Sequence, residues 1–162
     1  MAKKYASHLA DAVRQYLDAK EFKYQFDDAR GRFRLTMTLG DSKLRSVDLF
    51  INVGERYIQV FGVAPINTPQ ESFGRVMEYF ARINWAVRPG KFVIDLSDGE
   101  TRFESSLEVQ DSPPDQQKIK FIIELILVMW YQFGNGYIKI LYSDVSPLAA
   151  FEEARQLGDD AQ

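Results

Sequence analysis

The sequence predicts an α+β domain, an antiparallel sheet with flanking helices. Three patterns carry that reading. Apolar residues recur at helical spacing near the start, in the middle and towards the end of the chain. Strict alternation of apolar and polar residues, the signature of half-buried strands, fills the segments between. The element order is helix, four strands, helix, two strands, long helix, short helix. At 162 residues this fits one domain over 1–162, with residues 158–162 expected to fray.

Tyr5, Leu9, Val13, Tyr16 and Leu17 give the first helix, over residues 4–20. Tyr24 and Phe26 mark a short strand, turned by residues 27–31 into a second, where Phe33, Leu35, Met37 and Leu39 alternate with polar residues. Val47, Leu49, Ile51 and Val53 mark the third strand, and Gly54-Glu55 turns it into the fourth, residues 57–63. Thr68-Pro69-Gln70-Glu71 predicts a capping box opening a second helix, with Phe73, Val76, Met77 and Phe80 as its buried stripe. Pro89-Gly90 introduces a hairpin of residues 91–96 and 101–109, turned at Asp98-Gly99. Ser112-Pro113-Pro114-Asp115 starts a third helix whose sheet-facing stripe is Ile119, Ile122, Ile123, Ile126, Trp130 and Phe133. Gly134-Asn135-Gly136 is expected to break, kink or weaken it, and residues 137–142 read equally as helix or strand. Ser146-Pro147 caps a last helix through about Arg155.

Composition narrows the function. A net charge of −3 argues against a nucleic-acid binder, which needs a basic surface. With no cysteine and a single histidine, His8, the chain lacks parts for disulfides, thiolate metal sites, cysteine nucleophiles or a Ser-His-Asp triad. No catalytic residue, metal ligand or cofactor is predicted. Asp95, Asp98 and Glu100 gather at one hairpin tip and Asp27-Asp28 at another, where turn chemistry explains them. The chain opens into the first helix without an apolar signal core, and the apolar stretch Phe121–Phe133 is too short to span a bilayer. The cytoplasm is the expected location.

The segment INWAVRPGKFVIDLSDGETRFESSLEV, residues 83–109, resembles the YbjN family of bacterial sensory-transduction regulators. Asn84, Gly90, Asp98, Gly99 and Arg102 fill that family's typical places. LYSDVSPLAAFEEA, residues 141–154, looks like its closing helix. The resemblance implies a fold similar to type III secretion chaperones: a twisted antiparallel sheet covered by helices and used to hold other proteins. Gly134-Asn135-Gly136 interrupts a helix the family writes without a break, and Ser143 stands where a Gly is commoner.

Two candidate surfaces emerge. Phe121, Leu125 and Val128 form a second apolar stripe on the far side of the third helix. Either another helix of the chain, such as residues 137–142 folded back, or a second chain must cover it. Arg30, Arg32 and Arg34 line a turn and one strand face, where an anion or acidic peptide could sit, although a solvated face balanced by Asp48 and Glu55 explains them as well. The expected function is a non-enzymatic, homodimeric, chaperone-like adaptor that binds a protein or peptide, without nucleic-acid or membrane partners. The alternative is a regulatory domain sensing a small molecule between sheet and helices.

Overall fold

A computed structural model describes residues 4–110, 112 and 114–159. The N-terminal helix is α1 (Ser7–Ala19). Strands β1 (Gln25–Asp27), β2 (Arg32–Thr38), β3 (Ser46–Val53) and β4 (Tyr57–Val63) follow, then α2 (Phe73–Ala86). The hairpin β5 (Lys91–Ile94) and β6 (Thr101–Glu108) leads to α3 (Gln116–Tyr142) and α4 (Pro147–Asp159). The six strands form one antiparallel sheet in the order β1-β2-β3-β4-β6-β5.

Alternation decides which side of the sheet is covered. Phe33, Leu35, Leu49, Ile51, Ile58, Val60, Phe92 and Phe103 point inward and join one core cluster with the helices. α3 lies on β4 and β6, α2 on β5, α1 beside α3, and α4 against both α2 and α3. Gly62 of β4 fixes the closest approach. A Cβ there would stand 2.5 Å from Ile126, and the Trp130 indole N–H donates to the Gly62 carbonyl at 2.8 Å. The predicted stripe of α3 is buried at all six positions. The side chain of Asp115 caps the helix by accepting from the Lys118 N–H at 2.8 Å, while Pro113 of the predicted start lies outside the described residues.

Four expectations change. Thr68 does not cap α2. Its hydroxyl is buried between Thr101 at 2.8 Å and Tyr137 at 3.0 Å, and a 3-10 turn over Gln70–Ser72 opens the helix instead. Met77 is exposed and Phe73 half-buried, and the buried stripe is Val76, Tyr79, Phe80 and Ile83. Tyr79 turns inward because its hydroxyl finds the Phe133 carbonyl at 2.8 Å.

The third change is in α3, which runs unbroken for 27 residues through Gly134-Asn135-Gly136. The glycines serve close packing: a Cβ on Gly134 would lie 3.3 Å from Leu44, and one on Gly136 would collide with the Tyr79 hydroxyl. Asn135 Oδ1 accepts from the Lys43 backbone N–H at 2.7 Å and the Ser42 hydroxyl at 3.2 Å, tying the β2–β3 loop to the helix. Residues 137–142 are thus helical and cannot fold back over the second stripe. At this length α3 could cross a bilayer by length and composition alone, unlike the shorter stretch read from sequence, yet 50% of its most apolar window is buried inside the fold.

The fourth is α4. Ser146 caps it through its side chain and backbone carbonyl, but the helix continues past Arg155 to Asp159, so Gly158 is helical. Residues 160–162 of the expected frayed tail lie outside the described residues. Arg75 of α2 binds the junction by donating to the Ile140, Ser143 and Val145 carbonyls at the end of α3. Ser143 needs no glycine there, since its φ is −146°.

Gly136→Ala should therefore destabilise the protein by about 1–3 kcal/mol through overpacking, although Ala normally favours a helix interior over Gly. In a Tyr79→Phe background the hydroxyl is gone but the ring carbon Cζ would still stand 2.7 Å from the new Cβ, so the same substitution should cost less without becoming neutral. Urea unfolding of the double-mutant cycle measures both.

Candidate functional site

Helix α3 is flanked by α1 near its start and by α4 near its end. At the start, Gln116 reaches the Ala12 carbonyl and Tyr16 the Glu124 carboxylate. At the end, Lys139 pairs with Glu153 at 2.6 Å. Between these flanks one face is left open. Phe121 and Val128 of the predicted stripe are each 56% exposed, and Tyr131 and Leu157 beside them are 59% and 57% exposed. Leu125 departs from the prediction, being half-buried and packed against the core. Sequence reading missed Tyr131 and Leu157, although an apolar residue ten positions past Phe121 was a usable signal for the first. Leu157 was invisible because α4 was ended too early.

Where α3 meets α4 the open face deepens into a cleft of about 520 Å³, walled by Val128, Tyr131 and Leu157 with Asp41, Ser42, Gln132 and Asn135 at its polar end. Two of those polar groups already serve the fold. Asn135 holds the β2–β3 loop and Gln132 reaches the Ala154 carbonyl at 3.4 Å.

The outer face of the sheet carries no helix among the described residues. Arg34 and Phe50 face each other in the register of β2 and β3, and Phe50 stacks on Phe61 of β4 at 5.2 Å. Arg32 and Arg34 lie over the Phe50 ring at 5.8 and 5.5 Å, and Arg102 over Phe61 at 4.7 Å. Arg34 pairs with Asp48 at 3.0 Å, as expected, while Arg32 donates to Asn52 at 2.7 Å. The Thr36 hydroxyl, helped by Arg34, holds the Asp48 carboxyl below its ordinary value. Arg30 stands apart in its turn, 3.8 Å from Asp27. Arg32 and Arg34 thus share the Phe50 ring, whereas Arg30 pairs within its own turn.

The residues that carried the family resemblance are structural. The Asn84 side chain makes paired hydrogen bonds to the Phe92 backbone, N–H at 2.8 Å and C=O at 3.0 Å, sealing the outer edge of β5. Gly90 and Gly99 have φ of +96° and +79°, a region that favours glycine. Asp95 accepts from the Ser97 N–H and hydroxyl, and Asp98 from the Glu100 N–H. His8 is exposed on α1. Among the described residues no group of three or more His, Asp or Glu side chains is placed to hold a metal ion.

Two phenols are held neutral by the fold. Burial, together with the Glu124 carboxylate, pushes Tyr16 up to about 12, and burial raises Tyr79 as well.

This one-sided sheet is shared by solved structures at low identity. YbjN from E. coli is 14% identical, with a TM-score of 0.56 over 91% of this chain and 92% of that one. A chain of the HopA1–SchA chaperone–effector complex is 13% identical, with a TM-score of 0.51 over 80% of this chain and 95% of that one. The fold class is therefore that of a helix-covered antiparallel sheet, α+β and type III secretion chaperone-like. The sequence profile named YbjN, "Putative bacterial sensory transduction regulator", matches residues 9–135. The chain belongs to the YbjN family. The matched residues include 83–109 and stop before the closing segment 141–154. No curated protein matches it. The family's description fits a regulatory role.

Two measurements follow. Gly99→Ala should cost on the order of 1 kcal/mol or more, because it strains a positive φ and drives a Cβ into the Thr68 carbonyl. Thermal melts would show it, and the folded fraction should bind any partner as well as the parent does. The tyrosines set a limit at alkaline pH. Phenols held neutral in the fold stabilise it fully below their ordinary 10.0, and that stabilisation is lost as pH rises through about 12 for Tyr16. Phenolate absorbance and circular dichroism should show these tyrosines ionising together with loss of structure.

Proposed function

We propose that this chain is a non-enzymatic regulatory domain that acts by binding other polypeptides, and that it does so as a homodimer joined through α3. The observation that carries the reading is the open face of Phe121, Val128 and Tyr131 on α3 with Leu157 of α4 beside them, each more than half exposed. Monomeric proteins rarely leave a contiguous apolar patch of large side chains uncovered. A stripe along one straight helix is well suited to an isologous contact, in which each residue meets its counterpart region on a second copy. The small-molecule reading is weaker, since the polar groups at the end of the cleft include two amides engaged within the chain.

The double variant Phe121→Glu/Val128→Glu tests this, and Leu125 is avoided because a charge there would disturb the core. Light scattering should report a mass of two chains for the parent and one for the variant, with unchanged far-UV circular dichroism. A parent mass of one chain at about 100 μM, where even modest dimers assemble, would defeat the homodimer.

A further inference from the structure

The sheet has an edge that the chain leaves unfinished. β1 is three residues long and pairs only with Arg32, Phe33 and Arg34, whereas β2 continues to Thr38. Backbone parity identifies what is left over. The Gly31 carbonyl accepts from Val53, and the Leu39 N–H donates to the Arg45 carbonyl, so odd-numbered residues of β2 bond towards β3. The N–H and C=O groups of the even-numbered residues point the other way. At Arg32 and Arg34 they meet Asp27 and Gln25 of β1. At Thr36 and Thr38 they meet no strand.

The opposite side of the sheet is treated differently. There the Asn84 amide occupies the backbone of Phe92 on the outer strand. No side chain performs that service at Thr36 or Thr38 among the described residues. The exposed edge also carries no proline, bulge or inward charge, the usual protections against strand pairing.

Beside it lies a groove of about 470 Å³ lined by Lys23, Tyr24, Gln25, Arg34, Leu35 and Thr36. Its two charged groups are cations. Arg34 is paired with Asp48, while Lys23 has no ion pair among the described residues. An incoming extended chain would extend the sheet in line with β1, and every second side chain would fall on the outer face beside these cations.

We propose that the free edge of β2 at Thr36–Thr38 is a docking site for an extended, acidic polypeptide segment, which adds to the sheet as a strand. This rests on the reading of the chain as a polypeptide-binding domain and assigns the partner's conformation and charge. The backbone of the segment supplies the hydrogen bonds, and a carboxylate beside Lys23 supplies selectivity. The groove beside this edge shares no lining residue with the cleft on α3.

Thr38→Pro removes the outward N–H without touching a bond to β3, a placement that edge strands tolerate. Thr38→Ala keeps that N–H and serves as the control. The probe is a short synthetic peptide of alternating Val and Glu, compared with a version N-methylated at alternate amides and with a Val-Lys version. Fluorescence anisotropy on the full chain should show the Val-Glu peptide binding the parent and Thr38→Ala alike. Thr38→Pro, Lys23→Glu, N-methylation or the Val-Lys sequence should each weaken binding about tenfold or more. The Thr36 and Thr38 amides should exchange rapidly with deuterium in the free protein and slow on addition of the peptide. Binding that ignores Thr38→Pro and N-methylation would overturn the edge while sparing the wider reading. No binding of the Val-Glu peptide up to about 1 mM would also overturn it. So would amides already protected in the free protein in a concentration-dependent way, which would mean that a second copy fills the edge. The light-scattering experiment on α3 stands or falls separately.

Discussion

The contact on which the rest of the structure depends is that of α3 with β4 at Gly62. A sheet normally keeps a helix at the distance its side chains set, and here one of those side chains is missing. Ile126 and Trp130 enter the space, and the Trp130 indole N–H reaches the carbonyl of Gly62 itself. A buried indole without a partner would be costly, so this bond sets position as well as affinity. It fixes the rotation of α3 about its axis, and the rotation decides which residues are core and which are surface along the whole helix.

From that fixed axis the other elements are hung by polar ties to backbone, not by apolar contact alone. Tyr79 joins α2 to the Phe133 carbonyl, and Asn135 draws in the β2–β3 loop. Arg75 gathers three carbonyls where α3 ends. Carbonyls in the last turn of a helix lack partners within the helix, so a guanidinium there satisfies groups that would otherwise need water. Thr68, Thr101 and Tyr137 make a similar buried knot between the α2 approach, β6 and α3. Each tie has a defined length, which gives the core one arrangement where greasy packing alone would allow several.

The sequence shows how far pattern reading reaches. The strands were legible because alternation reports burial on one side directly, and Arg32–Thr38, Ser46–Val53 and Tyr57–Val63 are where the pattern puts them. The sheet-facing stripe of α3 was legible for the same reason. Glycine was misread in α3 because two opposite causes share one residue. Gly at a positive φ and Gly under a neighbouring side chain look alike in sequence, and only the position of Tyr79 tells them apart. Thr68 was misread similarly, since a capping threonine and a buried hydrogen-bonding threonine both precede Pro-x-Glu comfortably. Tyr79 and Met77 exchanged places because a hydroxyl with a buried acceptor outweighs small differences in hydropathy. Of the candidate surfaces, Phe121 and Val128 were legible from spacing. Leu125 was not, because a stripe has width and its inner margin belongs to the core. The unfinished edge of β2 could not be seen at all, since it depends on strand order and on where β1 stops.

These surfaces sit on regular secondary structure. Phe121, Val128 and Tyr131 project from the helix whose rotation is fixed at Gly62, and the Thr36–Thr38 edge belongs to a strand bonded along its other side to β3. Groups on such elements are held in place before a partner arrives, so binding there forgoes much of the ordering entropy a loop would lose. The outer face of the sheet makes the opposite case. Its arginines are spent on aromatic rings and on Asp48 and Asn52, so a ligand there must first displace interactions the face already has. Unmet bonding capacity, more than charge or exposure alone, separates the surfaces this fold offers from those it merely shows. By that measure the α3 stripe and the β2 edge stand out, one lacking apolar cover and the other lacking backbone partners.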